Sequence, residues 1–460
     1  MSRRLAARFV TASAPAGRGI ASARDLPRTA SPGALVLAAV VPLLFLHRTY
    51  QPALNVALGH TTVTAYLSDF AVLAAVLAAL AAGLREGFAA LRTGRALWLV
   101  GALFLVWVGV EVLYGRHRSS AYAAGTHAVS AAKFAEYLLL APAVVLLVRR
   151  TADLLVLLWG LTLWTTAATV VGVAQFLGAG IALQHFTAGR TSSFIGWDDY
   201  AALALGIMLV GLVALTLPEL GLGRRLGLAA LASGGLGAIL SGSLAAVLGL
   251  LTAAVVLALV LWRRRELRSR RVLAALAAVL VVTLGAVAIH GNDLGAFARF
   301  LGANQAHQKN VQSYSQRTLL SYIGFEIWKG HPLLGTGWLA SSEPASFEPV
   351  LPAAHRRFPD VAPLAFPSAA HEWGVQDAWI QALADLGVVG FVLWVGVFAA
   401  ALWLALRGGV RRLGPAPLLG LLGVAGLFWL WTGQGFFAGI PLDALTAVVL
   451  GLAATRPAAA

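Results

Sequence analysis

The chain has 460 residues, of which 59% are hydrophobic and only 12% are charged, whereas a soluble globular domain carries about 25% charged residues. This composition excludes an ordinary soluble protein, and the lack of cysteine excludes disulfides, thiolate metal sites and a cysteine nucleophile. The net charge of +15 would favour nucleic acid in a soluble protein, but its distribution along this chain indicates membrane topology instead.

The chain begins with a basic tail, residues 1–32, which we expect to be disordered and cytoplasmic. Long apolar runs follow, and about 20 apolar residues are enough to span a bilayer as a helix. Twelve such segments can be placed, at 33–46, 67–84, 96–114, 131–148, 154–176, 200–217, 226–241, 244–262, 272–289, 386–406, 415–432 and 439–454.

These segments predict an all-α, polytopic membrane protein with about twelve transmembrane helices. Nine helices lie within 33–289 and three within 386–454, and a second tail covers 455–460. Between the two groups, residues 290–385 form one long extracytoplasmic loop that contains short helices and the catalytic region. A connection of this length usually carries function.

The basic residues predict the orientation. Most of the 34 Lys and Arg residues fall in the first tail and in alternate short loops, with a dense run at 263–271. Cytoplasmic loops are the ones that carry excess Lys and Arg. We therefore expect both termini in the cytoplasm and a multi-pass protein of the inner, or cytoplasmic, membrane.

Two arginines stand out on the opposite, outer side. Arg190 lies among small hydroxylated residues in "QHFTAGRTSSFIGWDDYAALALG", and Arg317 lies near the start of a helix predicted in "SYSQRTLLSYIGFEIWKG". A cation near a helix start opposes the helix dipole, so Arg317 does not serve helix stability. Either the two arginines bind an anion such as phosphate, or they extend toward lipid headgroups.

The end of the long loop holds a second polar group. His371 and Glu372 precede a span, and Asp377, Gln381 and Asp385 recur every four residues on one helix face. His371 is either a general base or an interfacial histidine beside an anchoring tryptophan, and the residues leave both open.

Metal and nucleotide chemistry are not expected. Asp198 and Asp199 are adjacent rather than alternating, no H-x-x-x-H pair occurs, and no P-loop or dinucleotide fingerprint is present. We therefore predict no metal site and no cofactor.

Three motifs together resemble the O-antigen ligase and polymerase superfamily of polytopic membrane glycosyltransferases. They are "SQRTLLSYIGFEIWKGHPLLGTGW" with its H-P-L-x-G-x-G end, "VQDAWIQALADLGVVGF", and Arg190 before the sixth span. The resemblance runs from about residue 30 to 450. It departs from the family's pattern where a His-Asn pair is expected, because this chain has Gln376–Asp377.

The resemblance implies transfer of a glycan from a polyprenyl diphosphate carrier, of the undecaprenyl type, to an acceptor hydroxyl. The transfer would take place at the outer face of the cytoplasmic membrane. Arg190 and Arg317 would bind the diphosphate. A catalytic role would fall to His371, Asp377 or Gln376. The loop residues His331, Gly335 and Gly337 would support the site. The implied partners are the lipid-linked glycan donor, a glycan or glycolipid acceptor, and membrane lipid, with no nucleic acid.

Other readings stay open at this stage. A transporter or flippase of glycolipids also has about twelve spans, although its polar residues usually lie at mid-membrane. A glycosyltransferase that uses a polyprenyl monophosphate sugar commonly has an acidic first outer loop, where this chain offers only Asp69. A noncatalytic membrane protein is a further alternative. A ligase and a polymerase share the donor and differ only in the acceptor, so the sequence does not separate them.

Overall fold

The computed structural model describes residues 26–58, 61–181, 190–267, 269–301, 311, 313–436 and 439–456. These described residues are 78% helical. Its α-helices are Leu26–Thr29, Pro32–Val40, Leu67–Glu86, Arg95–Arg118, Ala124–Leu138, Leu140–Leu147, Thr151–Phe176, Trp197–Thr216, Arg224–Ser241, Leu244–Arg264, Arg270–Leu301, Ser313–Gly330, Pro344–Phe347, Leu351–Arg357, Ala378–Leu406, Pro415–Thr432 and Pro441–Ala454.

The described residues also form short 3₁₀ helices and one β-hairpin. The 3₁₀ turns are Val41–Phe45, Arg48–Tyr50, Ala89–Gly94, Pro218–Leu220, Ala340–Ser342, Glu348–Val350, Pro363–Ala365 and Val410–Arg412. The hairpin pairs Ala53–Leu58 antiparallel with Thr61–Tyr66. It lies in the first predicted outer loop, for which no regular structure was expected.

Within the described residues, nine helices are long and apolar enough to cross a membrane. They are Leu67–Glu86, Ala89–Arg118, Ala124–Leu147, Thr151–Phe176, Trp197–Thr216, Leu244–Arg264, Arg270–Asn292, Ala378–Leu406 and Pro415–Thr432. The predicted all-α polytopic membrane fold is therefore confirmed.

The other three predicted spans are also helical, but each is less suited to crossing the membrane as a single helix. Pro32–Phe45 and Pro441–Ala454 are shorter apolar helices. At about 1.5 Å per residue, such helices fall well short of the roughly 30 Å hydrocarbon core. Arg224–Ser241 is long enough, but its two arginines and four glycines make it less apolar.

Close helix packing sets the position of the outer loops. A Cβ on Gly234 would lie 2.5 Å from the Met208 backbone nitrogen, and a Cβ on Gly211 would lie 2.5 Å from that of Leu231. Small residues allow membrane helices to approach in this way. Helix Trp197–Thr216 therefore packs along helix Arg224–Ser241, and its first turn lies beside the end of that helix.

Helix Ala378–Leu406 is broken at Gly387, whose φ of 64° and ψ of −172° are not helical. The H-P-L-x-G-x-G segment fills the break. Val388 N–H donates to Pro332 C=O at 2.9 Å, and Gly337 N–H donates to Asp385 C=O at 2.9 Å. Two motifs that are separate in sequence therefore form one structural unit.

Candidate functional site

Arg190 and Arg317 meet on one carboxylate, that of Asp198. Arg190 Nη2 donates to Asp198 Oδ1 at 3.1 Å, and Arg317 Nη2 donates to Asp198 Oδ2 at 2.6 Å. The side chains of Arg190, Arg317 and Asp198 are 13%, 19% and 24% exposed, so the group is largely enclosed but open on one side. Two guanidinium groups against one carboxylate leave one net positive charge in this arrangement.

The segment that carries Arg190 is fixed by hydrogen bonds to two helices. Arg190 Nε donates to Ser241 C=O at 2.8 Å, and Thr191 N–H donates to Leu240 C=O at 3.0 Å. Ser193 N–H donates to Gln175 Oε1 at 2.8 Å. Gly196, at a φ of 111°, then turns the chain into helix Trp197–Thr216. This puts Asp198 in the first turn, where a carboxylate is favoured by the helix dipole.

Arg317 comes from the helix that the sequence predicts after residue 313, and that helix runs Ser313–Gly330. Its Nη1 lies 3.5 Å from the position that a Cβ on Gly433 would occupy. One turn earlier, burial raises the pKa of Tyr314, while the charges of Arg190 and Arg317 oppose that rise. Tyr314 therefore belongs to the same group of side chains.

Asp377 is next in the chain to a residue that is bonded to the turn that contacts Arg317. It caps helix Ala378–Leu406, and its Oδ1 accepts from Trp379 N–H at 3.0 Å and Ile380 N–H at 3.2 Å. Ala378 N–H donates to Gln434 C=O at 2.9 Å, which holds Asp377 against the Gly433–Phe436 turn. Burial raises the pKa of Asp377 to about 6, despite the two backbone hydrogen bonds.

His371 is exposed and lies at the edge of the loop. It forms an isolated bridge with Ser368, and its ring stacks on Trp373 with the centroids 6.0 Å apart. Among the described residues, His371 does not contact Arg190 or Arg317. Gln376 is partly buried and lies next to Asp377 in the chain.

His331, Gly335 and Gly337 support the loop around the helix break. His331 Nε2 lies 2.7 Å from Arg118 Nη2, and burial together with Arg118 lowers the pKa of His331. Gly335 and Gly337 have φ values of 79° and 117°. A Cβ on Gly335 would lie 2.4 Å from the Asp385 carbonyl carbon, so only glycine allows this approach.

Sequence reasoning did not identify the bridging role of Asp198. It considered Asp198 and Asp199 only as a weak metal pair. It also left out Glu111, which is 1% exposed within a span. The signal for Glu111 was visible, since it stands in the apolar run "WVGVEVLYG".

Within the part of the chain that the structure describes, no three His, Asp or Glu side chains come together in an arrangement that could hold a metal ion.

Residues 228–395 match the family model described as "O-Antigen ligase". The match includes Arg317, the H-P-L-x-G-x-G segment and the 371–377 stretch, and it ends before the last two helices. No curated protein matches the chain significantly. Two of the three motifs that suggested the superfamily therefore lie inside the matched segment, whereas Arg190 lies outside it. Over residues 228–395, this multi-pass membrane protein is therefore similar to the O-antigen ligase family, which supports a membrane glycan ligase or polymerase.

Proposed function

We propose that this protein transfers a glycan from a polyprenyl diphosphate carrier to an acceptor hydroxyl at the outer face of the cytoplasmic membrane. Both termini would then lie in the cytoplasm. The family match supports a membrane glycan ligase or polymerase, and the apolar helices support a multi-pass membrane protein. The donor, the acceptor side and the orientation are our inference.

One observation carries the donor assignment: Arg190 and Arg317 share the Asp198 carboxylate. Side chains far apart in the sequence are thus brought within reach of one anionic group. Arginine suits a diphosphate because its planar fork donates two hydrogen bonds at once and stays charged. In the structure described here, the Asp198 carboxylate occupies a position that a phosphate oxygen would compete for.

The transfer is a displacement at the anomeric carbon of the donor sugar. The acceptor oxygen forms the new bond, the bond from the anomeric carbon to the phosphate oxygen breaks, and its electron pair stays on that oxygen. Negative charge therefore develops on the lipid diphosphate as it leaves. Guanidinium groups already in place stabilise this charge without having to reorganise.

The acceptor hydroxyl must lose a proton during transfer. Of the three predicted groups, we assign this role to Asp377. Asp377 precedes Ala378, whose backbone N–H is bonded to the turn that contacts Arg317. Burial raises the pKa of Asp377 to about 6, which suits a base near neutral pH. Its Oδ1 holds the helix start, so Oδ2 is the atom that would take the proton. Gln376 would orient the acceptor through its amide. His371, which is exposed, would contact a part of the acceptor that lies farther from the membrane than the reacting hydroxyl.

The predicted supporting residues act on the loop rather than on the substrate. His331, Gly335 and Gly337 hold the loop in the break at Gly387. This break lies about three turns after Asp377, which caps the same helix. A loop anchored there would help to cover the sugar site and exclude water, which would otherwise hydrolyse the donor.

The proposal is tested by reconstituting the purified protein with one glycan on two carriers, polyprenyl diphosphate and polyprenyl monophosphate. We expect transfer from the diphosphate carrier, with polyprenyl diphosphate released in step with product. Transfer from the monophosphate carrier alone would instead support the monophosphate-dependent alternative. No transfer from either carrier to glycan, glycolipid or glycan-repeat acceptors would overturn the proposal.

A further inference from the structure

A cavity of about 560 Å³ lies at the end of the helix bundle opposite to the proposed donor site. Helix Thr151–Phe176 connects the two places. Asp153 in its first turn lines the cavity, and Gln175 in its last turn accepts from Ser193 N–H, in the segment that carries Arg190. At about 1.5 Å per residue these two side chains are about 33 Å apart along the helix, which matches the hydrocarbon core. In the proposed orientation the cavity therefore lies in the cytoplasmic leaflet.

Small side chains on two helices form an apolar wall of the cavity. They are Ala78, Ala81 and Ala82 of helix Leu67–Glu86 and Pro32, Gly33 and Val36 of helix Pro32–Val40. Within each helix, residues three or four positions apart share one face. Val36 and Ala81 are exposed, and Leu80 and Leu84 beside them are 47% and 73% exposed. The cavity is therefore open to an apolar outer surface, from which a lipid chain can enter.

Charged side chains line the cavity where the helices end. Three are arginines and two are carboxylates: Arg85, Arg149, Arg150, Glu86 and Asp153. The group therefore has a net positive charge. Its place at helix ends is the level of lipid headgroups, so the cavity combines an apolar wall with a basic rim.

Both carboxylates of the rim are already engaged by the protein. Asp153 is 1% exposed, and it accepts from Ser31 N–H at 2.7 Å and from Arg150 N–H at 2.9 Å. Glu86 Oε2 pairs with Arg149 Nη1 at 2.9 Å. The negative charges are thus bound by backbone groups and by one arginine.

Two arginines of the rim can still meet an anion. Arg85 is exposed and forms no ion pair within the residues that the structure describes. The Arg150 side chain is 55% exposed, and its Nε lies 3.4 Å from Asp153 Oδ2. Arg85 comes three and four positions after Ala82 and Ala81, so it continues the face that forms the apolar wall.

We propose that this cavity binds one anionic phospholipid of the cytoplasmic leaflet, with its phosphate at Arg85 and Arg150 and an acyl chain along the alanine face. An apolar wall that ends in arginines fits a lipid, whereas a soluble phosphate would gain nothing from the wall. Basic pockets between membrane helices on this side bind anionic headgroups. The inference goes beyond the proposed function, because the donor site lies at the other membrane face.

The test measures binding of two lipids to the purified full-length protein in detergent, by native mass spectrometry. The lipids are phosphatidylglycerol and a diacylglycerol with the same acyl chains, which lacks the phosphate. Arg85→Ala should weaken phosphatidylglycerol binding about fivefold, the effect of one basic residue near an anionic lipid. It should leave diacylglycerol binding unchanged. Arg85→Lys keeps the charge and should bind both lipids nearly normally.

Ala81→Trp fills the cavity without changing its charge, and it should weaken binding of both lipids. Because Ala81 is exposed, the larger side chain does not disturb the core. Two arginine variants are controls that should change neither lipid. Arg412→Ala removes an exposed charge at the same end of the bundle but outside the cavity. Arg116→Ala removes an exposed charge at the opposite end, where Arg116 is bonded to Ser120 C=O.

Three results would contradict the lipid site. Normal phosphatidylglycerol binding by Arg85→Ala, or equal losses for both lipids, would show that the arginine rim binds no headgroup. Normal binding by Ala81→Trp would place the lipid outside the cavity. Binding of a short-chain polyprenyl monophosphate in place of phosphatidylglycerol would identify carrier lipid as the occupant instead. None of these results bears on the proposed function, which depends on Arg190 and Arg317.

Discussion

Arg317 Nη2 donates to Asp198 Oδ2 at 2.6 Å, and Arg190 holds the other oxygen of the same carboxylate. Asp198 thereby fixes the orientation of both guanidinium groups before any substrate arrives. The Asp198 carboxylate also neutralises one of the two positive charges. These two effects act in opposite directions on donor binding, and a single substitution separates them.

Asp198→Asn should lower the turnover number roughly 100-fold, because small errors in the placement of binding groups are costly. Asparagine keeps the shape of the side chain but presents an amide N–H₂ group to one of the two arginines. The measurement is the turnover number and the Michaelis constant for the donor. A variant that binds donor more tightly and turns over normally would show that Asp198 only competes with phosphate.

Asp377→Asn should abolish the pH dependence of transfer. In the unmodified protein, burial raises the pKa of Asp377 to about 6, and a base works only when it is deprotonated. Activity should therefore fall by roughly tenfold per unit as the pH drops below that value. Asparagine caps helices as well as aspartate does, so the fold should be unaffected. An Asp377→Asn enzyme with a normal rate at pH 7 would exclude this base.

His371→Ala should reduce transfer much less than Asp377→Asn does. His371 is exposed, and its contacts are with Ser368 and Trp373 at the loop edge. Both variants are compared in one assay at pH 7, with equal amounts of folded protein. If the losses are reversed, the base is His371, and the acceptor binds farther out than Asp377.

Gly387→Ala should destabilise the fold around the helix break. The Gly387 backbone angles, φ 64° and ψ −172°, are nearly restricted to glycine, and such strain costs of order 1–3 kcal/mol. A Cβ would also clash with the Leu333 carbonyl oxygen at 2.1 Å. We expect a lower melting temperature and loss of activity.

Gly101→Ala is the matched control for that substitution. Gly101 is also in a membrane helix, but a Cβ there meets nothing within 4 Å. Its melting temperature should be unchanged or slightly higher, because alanine favours helix. Equal melting temperatures for the two variants would show that the break at Gly387 is not sterically required.

The helices could be predicted from the sequence because membrane spans are long apolar runs. Arg317 could be singled out because a cation near a helix start needs another explanation, and Arg190 because it stands alone in an outer loop. The carboxylate that joins them could not be predicted, since Asp198 and Arg317 are 119 positions apart and no local pattern links them.

The helix break was also beyond sequence reasoning. "DLGVVGF" reads as the continuous start of a span, and glycine is common in membrane helices. Only the tertiary structure shows that Pro332 and Leu333 approach Gly387 and require its unusual backbone angles. Glu111 was overlooked for a different reason, because one acid barely changes the hydropathy of a long apolar run.

The most direct test of the central claim is the rate of glycan transfer by Arg317→Ala with the diphosphate-linked donor, measured as polyprenyl diphosphate released per protein. Loss of one group that stabilises developing charge typically costs at least about 100-fold in turnover, and we predict a loss of that size, with Arg116→Ala unaffected. An Arg317→Ala protein that transfers glycan at the normal rate would contradict the assignment of Arg190 and Arg317 to the diphosphate.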